Sequence, residues 1–542
     1  MTTASHQPTV LDVDAGTIPQ LITWAVDRFG DTLAVIDGDE RITYTELGVR
    51  VDQAARAMVA SGIAAGDTVG LWAPNCWQWV VAALATSRVG ASLVPVNTRF
   101  KGGEAGYVLA TAKVKLLFVV NGFLGIDYVD ALTAERPNLP HLAEIVDLVD
   151  VPVAGATPLT AFVSRGSGAD ADALQAEVDR RSAAVELAGI TAIMFTSGTT
   201  GLPKGVLVRG SAIIRAFSKS AAALGVQPGD PFLLVNPYFH AFGYNCGIIK
   251  GLITGATNIP VAAFDATAVM ELIQRERIAV FPGPPAVFQS LLNHPDFDSY
   301  DLSSLRACMT GAATIPVEMV KAMKDRLGFT TVITAFGMTE TSGLASFTGP
   351  DDSPELVATT SGRAIPDVEL KVVDDDLNEV PRGTEGELLV RGYQVTPGYL
   401  DNPEATAEAI TPDGWLRTGD IAVMDDAGYI DITDRKKDMF IMGGFNAYPA
   451  EIERMMIEHP EIGLVAVIGV PDERMGEVGA AFVIPAPGAS PSAEEIIEWC
   501  REKMANYKVP RFVWFVDQLP MTASGKVQKP ELRALSRTKF AP

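Results

Sequence analysis

The run from Thr196 to Gly205, TSGTTGLPKG, is the stretch of this sequence best suited to chemistry. Its glycines allow turns that point successive backbone N–H groups at an anion, and its hydroxyls add further donors. Lys204 contributes a compact positive charge. The order is not that of a Walker A loop, because Lys204 follows proline and precedes glycine. A plain surface turn is the alternative, but the apolar run 190–195 before it favours a phosphate-binding loop at the end of a strand.

Four further apolar runs alternate with helix-like segments up to residue 340, and we expect strands at 232–235, 278–281, 307–310 and 332–335. Asp265 is a plausible N-cap for one of the helices between them. This alternation predicts an α/β fold of layered, mostly parallel sheets. Ligands of such folds gather beyond the carboxyl ends of the strands. We therefore expect the loops after the five strands to converge on one crevice.

The pattern of apolar runs and turn residues changes after residue 361. Short strand-like runs separated by Gly, Pro and Asp turns predict a β-rich subdomain over about 361–434. The charged run 434–438 lacks apolar anchors, and we interpret it as part of a hinge at 435–440. Helices near 450–458 and 493–503 and strands near 464–470 and 478–484 predict a small, mobile α+β unit. The expected organisation is an N-terminal domain at 1–434 and a C-terminal domain at 441–542.

Bulk composition excludes several classes of protein. A chain of 542 residues with 48% hydrophobic and 20% charged residues can bury more than one core. A net charge of −23 argues against binding to nucleic acid or anionic membranes. We see neither a membrane-spanning run nor a signal peptide, and the four scattered cysteines fit a reduced, cytoplasmic protein. The segment 501–542 is locally basic, and a solvated basic face accounts for most of it.

Several motifs together resemble the adenylate-forming superfamily of acyl-CoA synthetases, luciferases and peptide-synthetase adenylation domains. The loop 196–205 matches the superfamily's phosphate loop from end to end, and four more motifs follow in the same order over nearly the whole chain. The resemblance implies a nucleotide site that holds ATP or AMP. Its residues would be Thr196, Ser197, Gly198, Thr199, Thr200, Gly201, Lys204, Gly311, Ala312, Ala313, Phe336, Gly337, Met338, Thr339, Asp420 and Arg435.

Individual roles follow from the same resemblance. Phe336 would stack on adenine, although an aromatic residue alone is more often part of a core. Glu340 would bind Mg²⁺, and Thr339 would contact the α-phosphate. Asp420 would accept hydrogen bonds from the ribose hydroxyls, with Arg435 fifteen residues later as a second ribose contact. A lone aspartate after glycine is otherwise a turn former.

A second group of residues resembles the superfamily's moving parts. Lys526 would bridge the carboxylate and the α-phosphate, although a lysine near a C-terminus is ordinarily solubilising. Lys437 would lie at the hinge about which the small domain rotates between half-reactions. Gly443 and Gly444 would then replace Lys526 and let the pantetheine arm of CoA pass, although paired glycines also suit a plain hairpin turn.

The acyl side of the site is less clearly marked. His240 resembles the gate residue near the substrate carboxylate or thiol route, whereas a buried, satisfied histidine is the ordinary alternative. Loop placement suggests an acyl pocket lined by Tyr238, Phe242, Pro285 and Phe288. Segments 74–82, 96–100 and 123–125 resemble actinobacterial ligases that activate the bicyclic propionate remnant of steroid rings, and a medium or long fatty acid remains open.

The resulting hypothesis is an AMP-forming acid:CoA ligase of lipid, fatty-acid or steroid metabolism, with Thr196, His240, Glu340 and Lys526 as catalytic residues. It would use ATP, Mg²⁺ and coenzyme A on a hydrophobic carboxylic acid. A homodimer is left open. The alternatives are loading of a carrier protein, a luciferase-like oxidation and a non-catalytic nucleotide-binding sensor. Neither a fused carrier domain nor an obvious extra insertion is present, which favours free CoA.

Overall fold

A computed structural model of the chain describes residues 16–196, 202–311, 315, 317–435, 440–447, 449–486, 488–520, 527 and 529–539. The α-helices are α1 Ile18–Phe29, α2 Tyr44–Ala60, α3 Trp77–Arg88, α4 Gly102–Thr111, α5 Tyr128–Ala131, α6 Leu159–Ser164, α7 Ala171–Ala184, α8 Gly210–Leu224, α9 Ala241–Gly243, α10 Lys250–Thr254, α11 Ala266–Glu276, α12 Pro285–Leu292, α13 Val317–Asp325, α14 Pro354–Thr359, α15 Pro403–Ala409, α16 Pro449–Met456, α17 Ala493–Lys503 and α18 Lys529–Lys539. A π-helical turn, Tyr244–Ile249, joins α9 to α10, and short 3-10 turns lie at Phe123–Gly125, Arg136–Asn138, Phe297–Ser299 and Thr339–Thr341.

The strands are β1 Leu33–Asp37, β2 Glu40–Thr43, β3 Thr68–Trp72, β4 Ser92–Pro95, β5 Leu116–Val119, β6 Glu144–Asp147, β7 Thr157–Pro158, β8 Ile190–Thr196, β9 Lys204–Arg209, β10 Pro231–Leu234, β11 Thr257–Pro260, β12 Ala307–Gly311, β13 Thr331–Phe336, β14 Ser346–Phe347, β15 Arg363–Ala364, β16 Val368–Val373, β17 Glu385–Gly392, β18 Leu416–Met424, β19 Ile430–Arg435, β20 Phe440–Met442, β21 Phe445–Ala447, β22 Ile462–Asp472, β23 Gly476–Pro485 and β24 Phe512–Phe515. The expected α/β class is confirmed.

Two largely parallel sheets form the bulk of the large domain. One has the order β7-β6-β5-β3-β4-β8-β9, with only β9 antiparallel to its neighbour. The other combines β10-β11-β1-β2 with β12-β13-β14-β15, joined through parallel bridges at Val280. The phosphate-loop strand β8 thus lies in a different sheet from β10, β12 and β13, so the site is built between sheets.

The segment 278–281 differs from the expected strand. Val280 makes single parallel bridges to Phe232 and Ala307 rather than a regular ladder. The physical reason is the following sequence 282–285, which contains three prolines that lack a donor and fix φ. The segment still occupies the gap between β10 and β12, so its loop leaves at the same sheet edge.

Local sequence signals account for well-defined helix starts. The Asp265 carboxylate accepts a hydrogen bond of 2.9 Å from the Ala268 N–H and caps α11, as expected. A capping box begins α17 at Ser492, where Glu495 reaches back to the capping residue. Both signals are read directly from the sequence because capping needs only neighbouring residues.

The strands after residue 367 form smaller sheets. An antiparallel sheet, β16-β17-β18-β19, spans residues 368–435, and the remaining strands form the sheet β21-β20-β23-β22 with β24 beside β23. The second sheet packs with α16, α17 and α18 into an α+β unit, whose buried apolar residues form one continuous cluster with residues of β3, β4 and β5. Within the described ranges, we find no helix both long and apolar enough to cross a membrane.

Candidate active site between the two domains

The predicted phosphate loop connects the two strands of a β-hairpin. Thr196 ends β8 and pairs in the antiparallel ladder with Lys204, which begins β9. The pairing brings the first hydroxyl and the lysine of the motif side by side at the mouth of the hairpin. Residues 197–201, which include Ser197, Gly198, Thr199, Thr200 and Gly201, lie outside the described part of the chain.

A crossing segment, 396–400, ties this hairpin to the motif around Glu340. The Leu400 N–H donates to the Gly205 carbonyl at 2.7 Å. At the other end of the segment, the Thr396 N–H donates to the Glu340 carbonyl at 2.8 Å. Two loops that are far apart in sequence are therefore held together by backbone hydrogen bonds, which fix distance better than side-chain contacts do.

Tyr399, in the crossing segment, contacts two charged side chains of the site, those of Glu340 and Lys204. Its hydroxyl donates to Glu340 Oε1 at 3.0 Å, and Lys204 Nζ lies 5.2 Å from the centre of its ring. Glu340 is 7% exposed. The ring therefore orients a buried carboxylate and faces the ammonium group of the phosphate loop.

The donor set at Glu340 is compatible with Mg²⁺ held jointly with a nucleotide. Within the described residues, we find no group of three acidic, histidine or cysteine side chains able to hold a metal. Mg²⁺ commonly takes one or two carboxylates and completes its shell with phosphate and water. One oriented carboxylate beside a phosphate loop fits that pattern.

The small residues near the predicted adenine position are required by close backbone packing. Gly311 pairs with Ala335, and a Cβ on Gly311 would lie 2.4 Å from the Ala335 carbonyl oxygen. A Cβ on Gly337 would lie 2.4 Å from the Gly343 carbonyl oxygen. Both positions exclude larger residues. Ala312 and Ala313 lie outside the described residues.

Phe336 ends β13 where the main core meets the 368–435 sheet. It is half-buried and packs against the main core and against the small apolar cluster of the 368–435 sheet. Met338, two residues on, packs against the same main core. Thr339 and Glu340 follow in a 3-10 turn. The aromatic residue therefore keeps part of its surface available next to the sheet that carries Asp420.

Asp420 and Arg435 are direct partners in the antiparallel ladder of β18 and β19. Asp420 is 2% exposed, and its N–H donates to the Thr418 hydroxyl at 3.0 Å. The Thr418 hydroxyl donates in turn to the Leu388 carbonyl at 2.7 Å. Asp420 and Arg435, fifteen residues apart in sequence, are thus brought directly opposite each other by the register of the β18–β19 hairpin.

The loop after β10 is held by a buried asparagine from another element. Asn75 Nδ2 donates to the carbonyls of Leu234 at 3.2 Å and Asn236 at 3.0 Å. Asn75 Oδ1 accepts from the Tyr238 N–H at 2.7 Å. Because one amide bonds three backbone groups, it fixes the course of the chain just before His240.

His240 lies at the opening between the two domains. Its ring is 4.8 Å from that of Phe239 and 5.8 Å from that of Phe445, which belongs to the C-terminal unit. His240 keeps exposed surface although the rings of Phe239 and Phe445 flank its imidazole. Desolvation by the surrounding protein lowers the pKa of His240 to about 4, so the imidazole is neutral near pH 7.

The paired glycines form the tip of the β20–β21 hairpin, where Gly443 faces Met475 of the same unit and Gly444 faces the large domain. Gly443 and Gly444 have φ of 57° and 86°, which favours glycine. Among the described residues, a Cβ on Gly444 would meet only Pro284, whose Cγ would be 3.9 Å away. These glycines therefore form a hairpin turn, and this is compatible with the position at the site that was predicted for them.

The residues predicted to line the acyl pocket pack in different ways. Tyr238 is fully buried, with its ring 5.2 Å from that of Trp79. Phe288 is fully buried against Phe281 at 5.3 Å and Phe329 at 5.8 Å. Pro285 is the buried first residue of α12, and Phe242 is partly buried beside the main core. Their role in binding an acid stays a prediction.

Two of the predicted moving parts, Lys437 and Lys526, lie outside the described residues, and for Arg435 only the backbone is described. The structure also adds residues that the sequence reasoning did not select: Asn75, Tyr399 and Phe445. Each acts through a partner from a distant part of the chain. No sequence spacing could have indicated their roles: Asn75 simply follows a proline, Tyr399 follows Pro-Gly, and Phe445 follows two glycines.

Comparison with known proteins agrees with this geometry. The family model for the AMP-binding enzyme matches residues 22–400, and that for the AMP-binding enzyme C-terminal domain matches residues 451–526. A relative from Rhodococcus jostii (strain RHA1) is 45% identical over 523 residues, covering 95% of this chain and 98% of its own, and is named 3-[(3aS,4S,7aS)-7a-methyl-1,5-dioxo-octahydro-1H-inden-4-yl]propanoyl:CoA ligase. A Mycobacterium tuberculosis (strain ATCC 25618 / H37Rv) protein of the same name is 46% identical over 523 residues, covering 96% and 99%.

Among solved structures, the amide bond synthetase McbA from Marinactinospora thermotolerans is similar, with a TM-score of 0.82 and 29% identity over 95% of this chain and 99% of its own. Fold, motif order and whole-length sequence similarity all agree. This chain therefore belongs to the AMP-binding enzyme family, in its acyl-CoA synthetase branch.

Proposed function

We propose that this chain is an AMP-forming acid:CoA ligase whose acid is a bicyclic propanoate carrying two ring ketones. The observation that carries the proposal is its 45% identity, over nearly its whole length, to a relative named for that acid. The arrangement of Lys204, Tyr399 and Glu340 supports the nucleotide half of the chemistry.

In the first half-reaction, a carboxylate oxygen bonds to the α-phosphorus of ATP and diphosphate leaves. The reacting groups are both anionic, so the site must reduce their repulsion. We assign Thr196, the loop 197–201 and Lys204 to the leaving phosphates and Lys526 to the carboxylate and α-phosphate. Glu340 would hold Mg²⁺, which when bound supplies positive charge to the phosphates. Thr339 would contact the α-phosphate.

The nucleoside is assigned to the surface around Phe336. Its ring would stack on adenine, with Gly311, Gly337 and Met338 allowing backbone to pass close by. Asp420 and Arg435 would bind the ribose.

In the second half-reaction, the CoA sulfur bonds to the acyl carbonyl carbon and AMP leaves. Gly444 at the hairpin tip faces Pro284, and Phe445 faces His240. This arrangement suits a thioester-forming state, because at Gly444 bare backbone rather than a side chain faces the large domain. We propose that rotation about the hinge at 435–440, with Lys437 at its centre, exchanges this hairpin for Lys526 between the half-reactions.

The test is a diphosphate-release screen of the purified enzyme with ATP and Mg²⁺ across the bicyclic dioxo-propanoate, its saturated hydrocarbon analogue and linear acids of medium and long chain. We expect the highest kcat/KM for the dioxo acid. Linear acids that are turned over equally well would contradict the substrate assignment. No diphosphate release with any acid would contradict the ligase itself.

The acyl acceptor is tested separately, because an acyl-adenylate can be passed to different nucleophiles. Enzyme loaded with acyl-adenylate is offered free CoA, a carrier protein bearing pantetheine, or a simple amine. We expect thioester formation with free CoA. Transfer to the carrier alone would show that the acceptor is a protein. A cytoplasmic location, in keeping with four free cysteines, stays part of this proposal.

A further inference from the structure

Lys508 is a fully buried lysine at the contact between the two domains. Its ammonium lies 2.7 Å from Glu104 Oε1 and 2.8 Å from Glu451 Oε1, and its side chain is 0% exposed. The Nζ atom also lies 4.6 Å from the centre of the Phe100 ring. Burial alone disfavours the ammonium, but Tyr507 and the two carboxylates outweigh this and raise the pKa of Lys508 above its ordinary value.

The two carboxylates belong to different parts of the chain. Glu451 lies on α16 and Lys508 follows α17, so both belong to the C-terminal unit. Glu104 lies on α4 of the large domain. Of the two ion pairs, movement of the C-terminal unit as a body would keep Lys508–Glu451 and break Lys508–Glu104, together with the contact of Lys508 to the Phe100 ring of the large domain. The contact to Glu104 is therefore the one that depends on how the domains are arranged.

Glu104 is itself anchored in the large domain. Its other carboxylate oxygen accepts a 2.9 Å hydrogen bond from the Lys101 N–H, directly before the first turn of α4. One carboxylate thus caps a helix with one oxygen and receives the small domain's ammonium with the other. Such a fixed acceptor defines the position of Lys508 more closely than a free surface glutamate would.

A chain of direct contacts leads from Lys508 to the site. Tyr507, the preceding residue, stacks on Phe445 at 4.8 Å with an interplanar angle of 20°. Phe445 follows Gly444 at the hairpin tip and lies 5.8 Å from His240. The Asn97 amide also donates to the Tyr507 hydroxyl at 3.4 Å. The buried ion pair and the glycine hairpin are therefore parts of one docked surface.

We propose that Glu104 and Lys508 are a positioning pair for the second half-reaction, holding the small domain where the Gly444 hairpin borders the site. This inference rests on the two-step function proposed above. Neither residue touches the reacting atoms; their contact favours one domain arrangement over the other. Losing it should slow thioester formation and spare adenylate formation, for which the contact is not needed.

The test variant is Glu104→Gln, which removes the charge while its amide oxygen can still cap α4. The two half-reactions are measured apart: diphosphate exchange for the first, and single-turnover thioester formation from pre-made acyl-adenylate for the second. We expect the second rate to fall on the order of tenfold to a hundredfold, as for other buried charge pairs that lose a partner, and the first to be retained.

Glu46→Gln is the matched control. Glu46 is the capping-box glutamate of α2, where it accepts from the Thr43 N–H at 2.8 Å, but its side chain is exposed, unlike the largely buried Glu104 carboxylate that receives Lys508. It loses the same charge from the same helical position, and we expect both half-reactions to be unchanged. The ratio of the two rates is a readout that a general loss of folded protein would not move.

A Glu104→Gln enzyme whose half-reactions are both normal, or both reduced by the same factor, would overturn the positioning role. An equal selective loss in Glu46→Gln would overturn it as well. These results differ from failure of the proposed function, in which the unmodified enzyme itself would form acyl-adenylate but no CoA thioester, or neither product.

Discussion

The hydroxyl of Tyr399 donates a 3.0 Å hydrogen bond to Glu340, and the ring of the same tyrosine lies 5.2 Å from Lys204 Nζ. One side chain thus links the carboxylate assigned to Mg²⁺ with the lysine of the phosphate loop. Backbone hydrogen bonds on both sides of Tyr399 fix the segment that carries it. This relationship explains how groups of opposite charge, from distant parts of the sequence, are kept at a defined separation.

Replacing Tyr399 by phenylalanine should weaken the nucleotide half of the reaction. The ring would remain beside Lys204, but the hydrogen bond that orients Glu340 would be lost. Hydrogen bonds to charged groups contribute about 1.5–3 kcal/mol, so we expect roughly a tenfold loss or more in diphosphate exchange. We also expect half-maximal activity at a higher Mg²⁺ concentration. Both are read from an exchange assay titrated with Mg²⁺.

Tyr429→Phe is the control for this experiment. The Tyr429 hydroxyl donates to Asp352 at 2.8 Å, so the variant also loses a tyrosine–carboxylate hydrogen bond, but among residues to which we assign no role in the site. We expect normal exchange. Equal effects of the two variants would show that Tyr399 acts only on general stability.

Lys526→Ala tests the residue assigned to the carboxylate and α-phosphate. Removing a charge that stabilises a transition state should slow adenylate formation on the order of 10² to 10³ or more. Thioester formation from pre-made acyl-adenylate should largely survive. Lys529→Ala is a suitable comparison, because Lys529 pairs with Glu453 at 2.8 Å and should leave both steps intact. Equal loss in both half-reactions of Lys526→Ala would defeat the assignment.

Gly444→Leu should stop thioester formation while diphosphate exchange survives. Gly444 has a φ of 86° and faces Pro284, so a side chain there would enter the opening assigned to the pantetheine arm. The strain of positive φ alone costs about 1–2 kcal/mol. Gly488→Leu separates the two effects, since Gly488 has a φ of 83° in the same unit, and no atom of the described residues lies within 4 Å of its Cβ position. If thioester formation persists in Gly444→Leu, no pantetheine passes there.

His240 should remain neutral between pH 5 and 8. Its pKa is lowered from 6.5 to about 4, so the unfolded chain binds this proton more readily than the folded one. The contribution to stability is complete above about pH 6.5 and is lost as the pH falls towards 4. His240→Gln should remove that part of the pH dependence of the free energy of unfolding, measured against the unmodified protein. A ring titration by NMR with a pKa of 6 or above would contradict this.

The sequence predicted the parts of this molecule that depend on neighbours along the chain. Asp265 caps α11 because capping requires a side chain and a backbone N–H only three residues apart. The strand before the phosphate loop follows from its uninterrupted apolar run, and β8 spans Ile190–Thr196. The separation of Asp420 and Arg435 likewise corresponds to a hairpin register.

The sequence did not predict contacts between distant segments. The expected strand at 278–281 becomes a bridge at Val280, because the prolines after it end the ladder. Nothing in the spacing of Tyr399 or Asn75 indicates that one orients Glu340 and the other fixes the loop before His240. Their roles arise from hydrogen bonds to groups more than 50 residues away in each case.

By itself, the amino-acid sequence determined which chemical groups this protein has and the order in which they occur: the loop assigned to phosphate, the carboxylate of Glu340, the pair Asp420 and Arg435 assigned to ribose, and Lys526 near the end of the sequence. The tertiary structure alone decided which distant groups contact one another. Examples are Tyr399 with Glu340 and Lys204, and Lys508 with Glu104. The physical reason is the distance along the chain over which each interaction acts. Turn and capping preferences act over a few residues, whereas packing and buried ion pairs depend on elements that only folding brings together.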